Sequence, residues 1–315
     1  MTTLIVTHPV FALHDTGPGH PERPERMRAI DAALSAPEFD AMKRRDAPLR
    51  DDVETQILRA HSPAHLERIR TAARDVGRGP VYLDPDTVVS GHTWEAAVRA
   101  VGAVLCGVDA VMTEGDSFQT VFCQVRPPGH HAEHNRAMGF CLFSNVAIGA
   151  LYARAVHGAQ KAAVIDFDVH HGNGTQDIFW SDQDLFYGSV HQMPHYPGTG
   201  SASERGVGNI WNAPLKAGDG GAAFRDALSN RIFPALHDFG PDIILVSAGF
   251  DGHLHDPLGG LRLLEADYVW VTEQIMDAAR RHCRGRIVSV LEGGYTPSDL
   301  AASAAAHVRT MLTNR

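Results

Sequence analysis

The amino-acid sequence predicts an α/β protein, with a mainly parallel sheet covered by helices on both faces and one domain spanning residues 1–315. Three observations lead there. Short apolar β-rich runs alternate with longer helix-like stretches through most of the chain. The runs are near-continuous in Val, Ile, Leu and Phe, as strands buried on both faces require. The residues directly following four of these runs are rich in His, Asp, Gly and Tyr, and parallel sheets gather ligands at the carboxyl ends of their strands.

Taken in order, strands are expected at 4–7, 120–125, 162–167, 185–190, 243–246 and 287–291. Helices are expected at 24–33, 63–73, 92–112, 145–156, 222–237, 266–282 and 299–312. Pro24 and Pro63 suit the first turn of a helix, where the missing N–H is no loss. Ser298 is read as the cap of the last helix. Gly-rich stretches at 198–208 and 218–221 fall between elements and read as loops. No internal repeat, low-complexity tract or long linker interrupts the pattern.

Composition narrows the function. The formal net charge is -9 with no basic block, the wrong sign for binding a phosphate backbone, so no nucleic-acid partner is expected. An acidic surface mildly favours cationic substrates such as Lys-rich peptides or polyamines. No apolar run nears the roughly 20 residues of a membrane span, and the first residues lack signal-peptide features, so a cytoplasmic protein without a membrane partner is expected. Cys106, Cys123, Cys141 and Cys283 are scattered without a C-x-x-C pair, so neither a disulfide framework nor a cysteine metal site is expected.

The chemistry gathers after four strands. Arg126-Pro127-Pro128-Gly129-His130-His131 follows the second, and Asp168-Val169-His170-His171-Gly172-Asn173-Gly174 follows the third. Ser247-Ala248-Gly249-Phe250-Asp251 and Glu292-Gly293-Gly294-Tyr295 follow the fifth and sixth. Asp168 and His170 are two apart, so at a strand end both side chains point the same way. With Asp251 they make three donors for a divalent ion and leave a position for water, the pattern of catalytic rather than structural zinc. Taken alone, Asp-x-His reads better as a helix-capping Asp beside a space-filling His; the other strand ends reverse that balance. His253 and His255 read as loop residues near the rim rather than ligands, and His171 as a packing residue.

These motifs, with His20-Pro21-Glu22-Arg23-Pro24, Gly139-Phe140-Cys141-Leu142-Phe143 and Asp166-Phe167-Asp168, resemble the histone deacetylase superfamily, in order and over nearly the whole chain. The likeness is greatest to class II enzymes and the bacterial deacetylase-like amidohydrolases, among which are acetylpolyamine amidohydrolases. It implies a single arginase-like α/β domain around an eight-stranded parallel sheet. It implies zinc on Asp168, His170 and Asp251, Tyr295 as oxyanion donor, and His130 and His131 as the acid/base pair backed by Asp166 and Asn173. Gly139 would offer its carbonyl to the substrate amide, Phe140 and Tyr196 would wall the acyl-lysine tunnel, and Leu258 would lie at its rim. A monovalent cation, K+ or Na+, would sit at Asp166, Asp168, His170, Ser189 and Val190. Asn173 stands where many class I enzymes carry Asp, and Phe143-Ser144-Asn145 replaces the common Phe-Asn-Asn.

The activity implied is zinc-dependent hydrolysis of acetyl-lysine or similar N-acyl amines by metal-activated water. His131 is the better resting base, because a carboxylate behind His130 stabilises imidazolium more than the amide of Asn173 does. An acetylpolyamine amidohydrolase is the nearest rival; Glu holds the place of Leu258 in a polyamine-selective branch, though Asp84 or Asp86 could stand in for it. An arginase-like ureohydrolase would need a carboxylate at Gly172, and a non-catalytic acyl-lysine reader would be expected to lose a ligand, base or tyrosine. The substrate, the choice between Zn2+ and Fe2+, and assembly into a homo-oligomer stay open at this point.

Overall fold

The computed structural model describes residues 2–113 and 118–314. In chain order they form β1 (Thr2–Thr7), α1 (Glu25–Ala33), β2 (Lys43–Asp46), α2 (Val53–Ile57), α3 (Pro63–Asp75), β3 (Val81–Tyr82), β4 (Val88–Val89), α4 (Thr93–Met112), β5 (Phe118–Cys123) and α5 (Asn145–His157). There follow β6 (Ala162–Asp166), α6 (Asn173–Phe179), β7 (Leu185–Gln192), β8 (Ile210–Leu215), α7 (Gly221–Ala227), α8 (Phe233–Phe239), β9 (Ile243–Ala248), α9 (Glu265–Cys283), β10 (Ile287–Leu291) and α10 (Pro297–Thr313). Eight strands make one all-parallel sheet in the order β2-β1-β5-β10-β9-β6-β7-β8, and β3 pairs with β4 in a separate small hairpin.

All six expected strands are present. β6, β7, β9 and β10 are buried along their whole length, which is why their sequences carry no polar alternation. α1, α9 and α10 pack together, as do α4 and α5, and both groups lie against the sheet. The two further strands are the sheet edges. β2 is Lys43-Arg44-Arg45-Asp46, exposed throughout, and such charge at an edge discourages further pairing. β8 contains Pro214, tolerated there because an edge strand can spare an N–H.

Two helix expectations need correction. The expected helix 222–237 is broken into α7, a π turn over Leu228–Ile232, and α8, with Pro234 in the first turn of α8. Proline cannot donate its backbone bond, and the wider turn absorbs the gap. Ser298 does not cap α10; that helix begins at Pro297, and Thr296 is the preceding residue.

The order of the sheet decides where chemistry can occur. β5, β10, β9 and β6 are neighbours at its centre, although far apart in sequence. The segments after these four strands therefore converge at one end of the sheet, as the carboxyl-end rule anticipates.

His307 of α10 is buried between the layers. Its Nδ1 lies 2.6 Å from Thr272 Oγ1 of α9, and its Nε2 lies 2.8 Å from Ser289 Oγ of β10. Burial holds its pKa down, to about 3 from the ordinary 6.5. The unfolded chain takes up this proton as pH falls through 6.5 and the folded chain does not, so stability is full above that pH and is lost towards the folded value. At pH ~5 the loss from this one group is about 2 kcal/mol. Urea unfolding at pH 7 and pH 5 should show the pH-dependent loss shrinking by about that amount in His307→Asn.

Candidate active site

Asp168, His170 and Asp251 offer one ligand atom each, all within 4.8 Å of one another and all buried. His170 Nδ1 lies 3.0 Å from Asp168 Oδ1 and 3.1 Å from Asp251 Oδ2. These separations are close to the edge of a zinc tetrahedron, about 3.3 Å for metal–ligand distances near 2.0–2.1 Å. Backbone donors fix both carboxylates: the Gly293 N–H donates to Asp168 Oδ2 at 2.8 Å and the Val169 N–H to Asp251 Oδ1 at 2.9 Å. Gly293 has to be glycine, because a Cβ there would run into both carboxylates.

Burial sets the charges of this trio against one another. Burial opposes ionisation of Asp168, but the charges of His130 and His170 hold it below the usual carboxylate range. Burial and then the charge of Asp168 push Asp251 up to about 7. Burial disfavours charge on His170, yet its bonds to Asp168 and Asp251 raise it to about 10. Two buried carboxylates contending for one imidazolium are the donor set that a divalent ion neutralises, and the residues fit one.

The tandem histidines differ in what stands behind them. His130 Nδ1 meets Asp166 Oδ2 at 3.0 Å, an oxygen that also accepts the Tyr187 hydroxyl at 2.9 Å. Burial pulls its pKa down, but Asp168 and Asp166 outweigh that and raise it to about 10. His131 Nδ1 meets Asn173 Oδ1 at 2.8 Å, while Asn173 Nδ2 donates to Glu133 Oε1 at 2.7 Å. That network orients the amide oxygen towards His131, so Nδ1 carries the proton and Nε2 keeps its lone pair. Burial first, then the charges of His130 and His170, hold the His131 pKa well below the ordinary value.

A cavity of about 320 Å³ opens over this cluster. His131, His170, Gly139, Phe140, Tyr196, Leu258 and Tyr295 line it, together with His20, Pro21, Asp86 and His195. The expected wall and rim residues therefore share one cavity. Phe140 reaches it by an unusual backbone: Gly139 and Phe140 have φ of 56° and 68°. Two consecutive left-handed residues make the tight turn that joins the paired Met138 and Cys141. For phenylalanine that conformation costs on the order of 1–2 kcal/mol, and the Phe140 N–H bond to Thr87 Oγ1 at 3.1 Å helps to hold it.

The residues expected around the monovalent cation are also neighbours. Strand register sets Asp166 of β6 beside Ser189 of β7, and Val190 follows. His171 packs as expected, buried, with Nδ1 2.7 Å from Thr199 Oγ1 and Nε2 3.0 Å from Gln176 Oε1. All four cysteines are buried and free.

Three residues in or behind the site had not been singled out from sequence. His195 stacks on His170 with ring centroids 4.9 Å apart, and its Nε2 meets the Leu258 carbonyl at 2.8 Å. Glu292 is wholly buried and accepts the N–H groups of Gly129 at 2.7 Å and His130 at 3.2 Å, which seats the tandem histidines. Asp256 accepts the Tyr295 N–H at 2.6 Å. Only Glu292 had a visible signal, a carboxylate directly after a buried strand.

The chain is also similar to known proteins over nearly its whole length. A family model described as the histone deacetylase domain matches residues 20–311. An uncharacterized protein of Synechocystis sp. is 41% identical over 305 residues, covering 96% of this chain and 97% of the relative. The histone deacetylase-like amidohydrolase of Pseudomonas aeruginosa is 38% identical over 285 residues, covering 88% and 73%. The crystal structure of the HDA15 HD domain superposes with a TM-score of 0.91 at 34% identity, covering 99% of this chain and 88% of that one. Fold and similarity together place the chain in the deacetylase and amidohydrolase class. The chain belongs to the histone deacetylase family.

Proposed function

We propose that residues 1–315 form one catalytic domain, a zinc-dependent amidohydrolase that deacylates acetyl-lysine peptides or similar N-acyl amines. The observation that carries this reading is the Asp168–His170–Asp251 donor set beneath a cavity that Phe140, Tyr196 and Tyr295 line. Zinc bound there supplies Lewis acidity to the acyl oxygen and to the attacking water.

The remaining work falls to the chain's own side chains. His131 Nε2 takes the proton of the water and returns it to the leaving amine. His130, held cationic by its carboxylate neighbours, stabilises negative charge without exchanging its proton. Tyr295 donates its O–H to the developing oxyanion. The Gly139 carbonyl accepts the substrate amide N–H, while Phe140 and Tyr196 flank the acyl-lysine stem. Asp166, Asp168, His170, Ser189 and Val190 would hold K+ or Na+, which would brace the loop beneath. The expected cytoplasmic location and homo-oligomeric assembly belong to the same proposal; among the described residues no helix is long and apolar enough to cross a membrane.

The rival readings are separable. A ureohydrolase with two metals needs a carboxylate in place of Gly172, yet even a Cβ there would collide with Asp166 and Tyr187. A non-catalytic reader leaves His131 and Tyr295 without a task. The polyamine reading has one observation in its favour: Asp86 lines the cavity, whereas Asp84 is turned back, its Oδ1 accepting the Asp86 N–H at 3.1 Å. Leu258, which also lines the cavity, cannot pair with an ammonium. The test is kcat/KM for an acetyl-lysine peptide against an N-acetylated polyamine, with metal-defined enzyme. The expected preference for the peptide is about tenfold, or about 1.4 kcal/mol in the transition state. A polyamine preference that disappears in Asp86→Asn would overturn the peptide reading and assign Asp86 to the distal ammonium.

A further inference from the structure

Away from the catalytic cluster, a second trio draws its donor atoms within 4.8 Å of one another: His253, His255 and Asp299. We infer that these three side chains form a separate, peripheral site for a divalent transition-metal ion of the Zn2+ type. This replaces the sequence expectation that both histidines are simple loop residues.

The geometry fits. Asp299 Oδ2 lies 3.3 Å from His255 Nδ1 and 3.7 Å from His253 Nδ1. The edge of a zinc tetrahedron is about 3.3 Å, so one carboxylate oxygen already stands at near-ligand spacing from both rings. The His255 side chain is 64% exposed and free to adjust, while that of His253 is only 3% exposed and fixed. A buried anchor, a half-buried carboxylate and an exposed outer ring would leave one face of an ion open to water.

Hydrogen bonding prepares His253 for this role. The His255 backbone N–H approaches His253 Nδ1 at 3.3 Å, which marks Nδ1 as the acceptor and puts the ring proton on Nε2. Nδ1 therefore presents its lone pair towards Asp299, and an ion would displace only one long hydrogen bond. Nε2 is buried and has no hydrogen-bond partner, although Glu265 Oε1 stands 3.7 Å away. A histidine whose outer N–H faces a carboxylate while its inner nitrogen binds a metal is the usual second layer of a zinc site. Two imidazoles and one carboxylate select zinc, nickel or copper over magnesium or calcium.

The position gives the site a consequence. His253 and His255 lie on the loop between Asp251 and Asp256, and Asp299 lies in the first turn of α10, just after Tyr295. The same junction is already tied by Thr296 Oγ1, which donates to the His255 carbonyl at 2.9 Å. An ion here would clamp the loop to the helix on either side of Tyr295 without touching the catalytic cavity.

The experiment is equilibrium dialysis of the full chain against buffered free Zn2+, with zinc counted per chain and thermal melting followed in parallel. Wild type should bind two ions, and His255→Ala and Asp299→Asn one each. Raising free Zn2+ beyond the first equivalent should raise the melting temperature of wild type and not of the variants. Deacetylase activity of His255→Ala at one-ion loading should equal that of wild type at the same loading, which separates this site from the catalytic one. One ion per chain in wild type across the whole range, or a second ion that survives both substitutions, would overturn the inference.

Discussion

His131→Ala should lower kcat/KM on an acetylated peptide by about 10²–10⁴ while zinc per chain stays at the wild-type level. The expectation rests on which nitrogen is free. His131 Nδ1 is committed to Asn173 Oδ1 at 2.8 Å, so its only basic atom is Nε2, on a ring that lines the cavity. Burial first, then the positive charge of His130, keep this ring neutral, as a general base must be. His130 cannot take over: its Nδ1 is paired with Asp166 at 3.0 Å and it holds its proton tightly. His130→Ala should therefore cost less, since it removes a fixed charge rather than a proton carrier. Neither residue is among the metal donors, so an unchanged zinc count is part of the expectation. Turnover near wild type in His131→Ala would remove this residue from the proton path.

The tandem histidines also show how far the sequence could be read. Their spacing was plain from the motif, and the family resemblance implied the carboxylate and amide behind them; the strands before them were legible from their buried apolar stretches, Val121–Cys123 in β5 and Ala162–Ile165 in β6. The order of the sheet was not legible. β5 and β10 are neighbours, yet more than half the chain separates them, and no local pattern encodes that pairing. The edge strands escaped notice for the opposite reason: β2 is all charged and β8 carries a proline, and an edge permits both. The interruption at Leu228–Ile232 was hidden because apolar periodicity continues across a π turn while the hydrogen bonding changes. His195 lay one residue from Tyr196, but its stacking on His170 depends on a loop path that propensities do not determine. The His253–His255–Asp299 trio joins residues more than 40 positions apart, so only the folded chain brings the three together.

Tyr295→Phe should lower kcat by about 10²–10³ with little change in KM, the expected mark of an interaction made mainly in the transition state. The substitution removes one oxygen and leaves the supports of the ring intact. The Arg26 guanidinium stays 5.0 Å over the ring centroid, Phe140 remains an edge contact at 5.9 Å, and the residue-295 N–H still donates to Asp256 at 2.6 Å. Gly294, at φ 119°, and Gly293, pressed against both metal-site carboxylates, let the backbone pass close to the metal site just before Tyr295, which lines the cavity. Burial first, then the charge of Asp251, raise the phenol pKa well above its ordinary value, so the group is a protonated donor across the working pH range. A hydroxyl held neutral in a largely dehydrated wall gives little to a neutral amide oxygen and much more to an oxyanion, and that difference is the catalytic effect. Zinc content and melting temperature should match wild type, and steady-state kinetics on an acetylated peptide measure the loss. If kcat fell by less than about threefold, the oxyanion would have another donor and Tyr295 would be only a wall of the cavity.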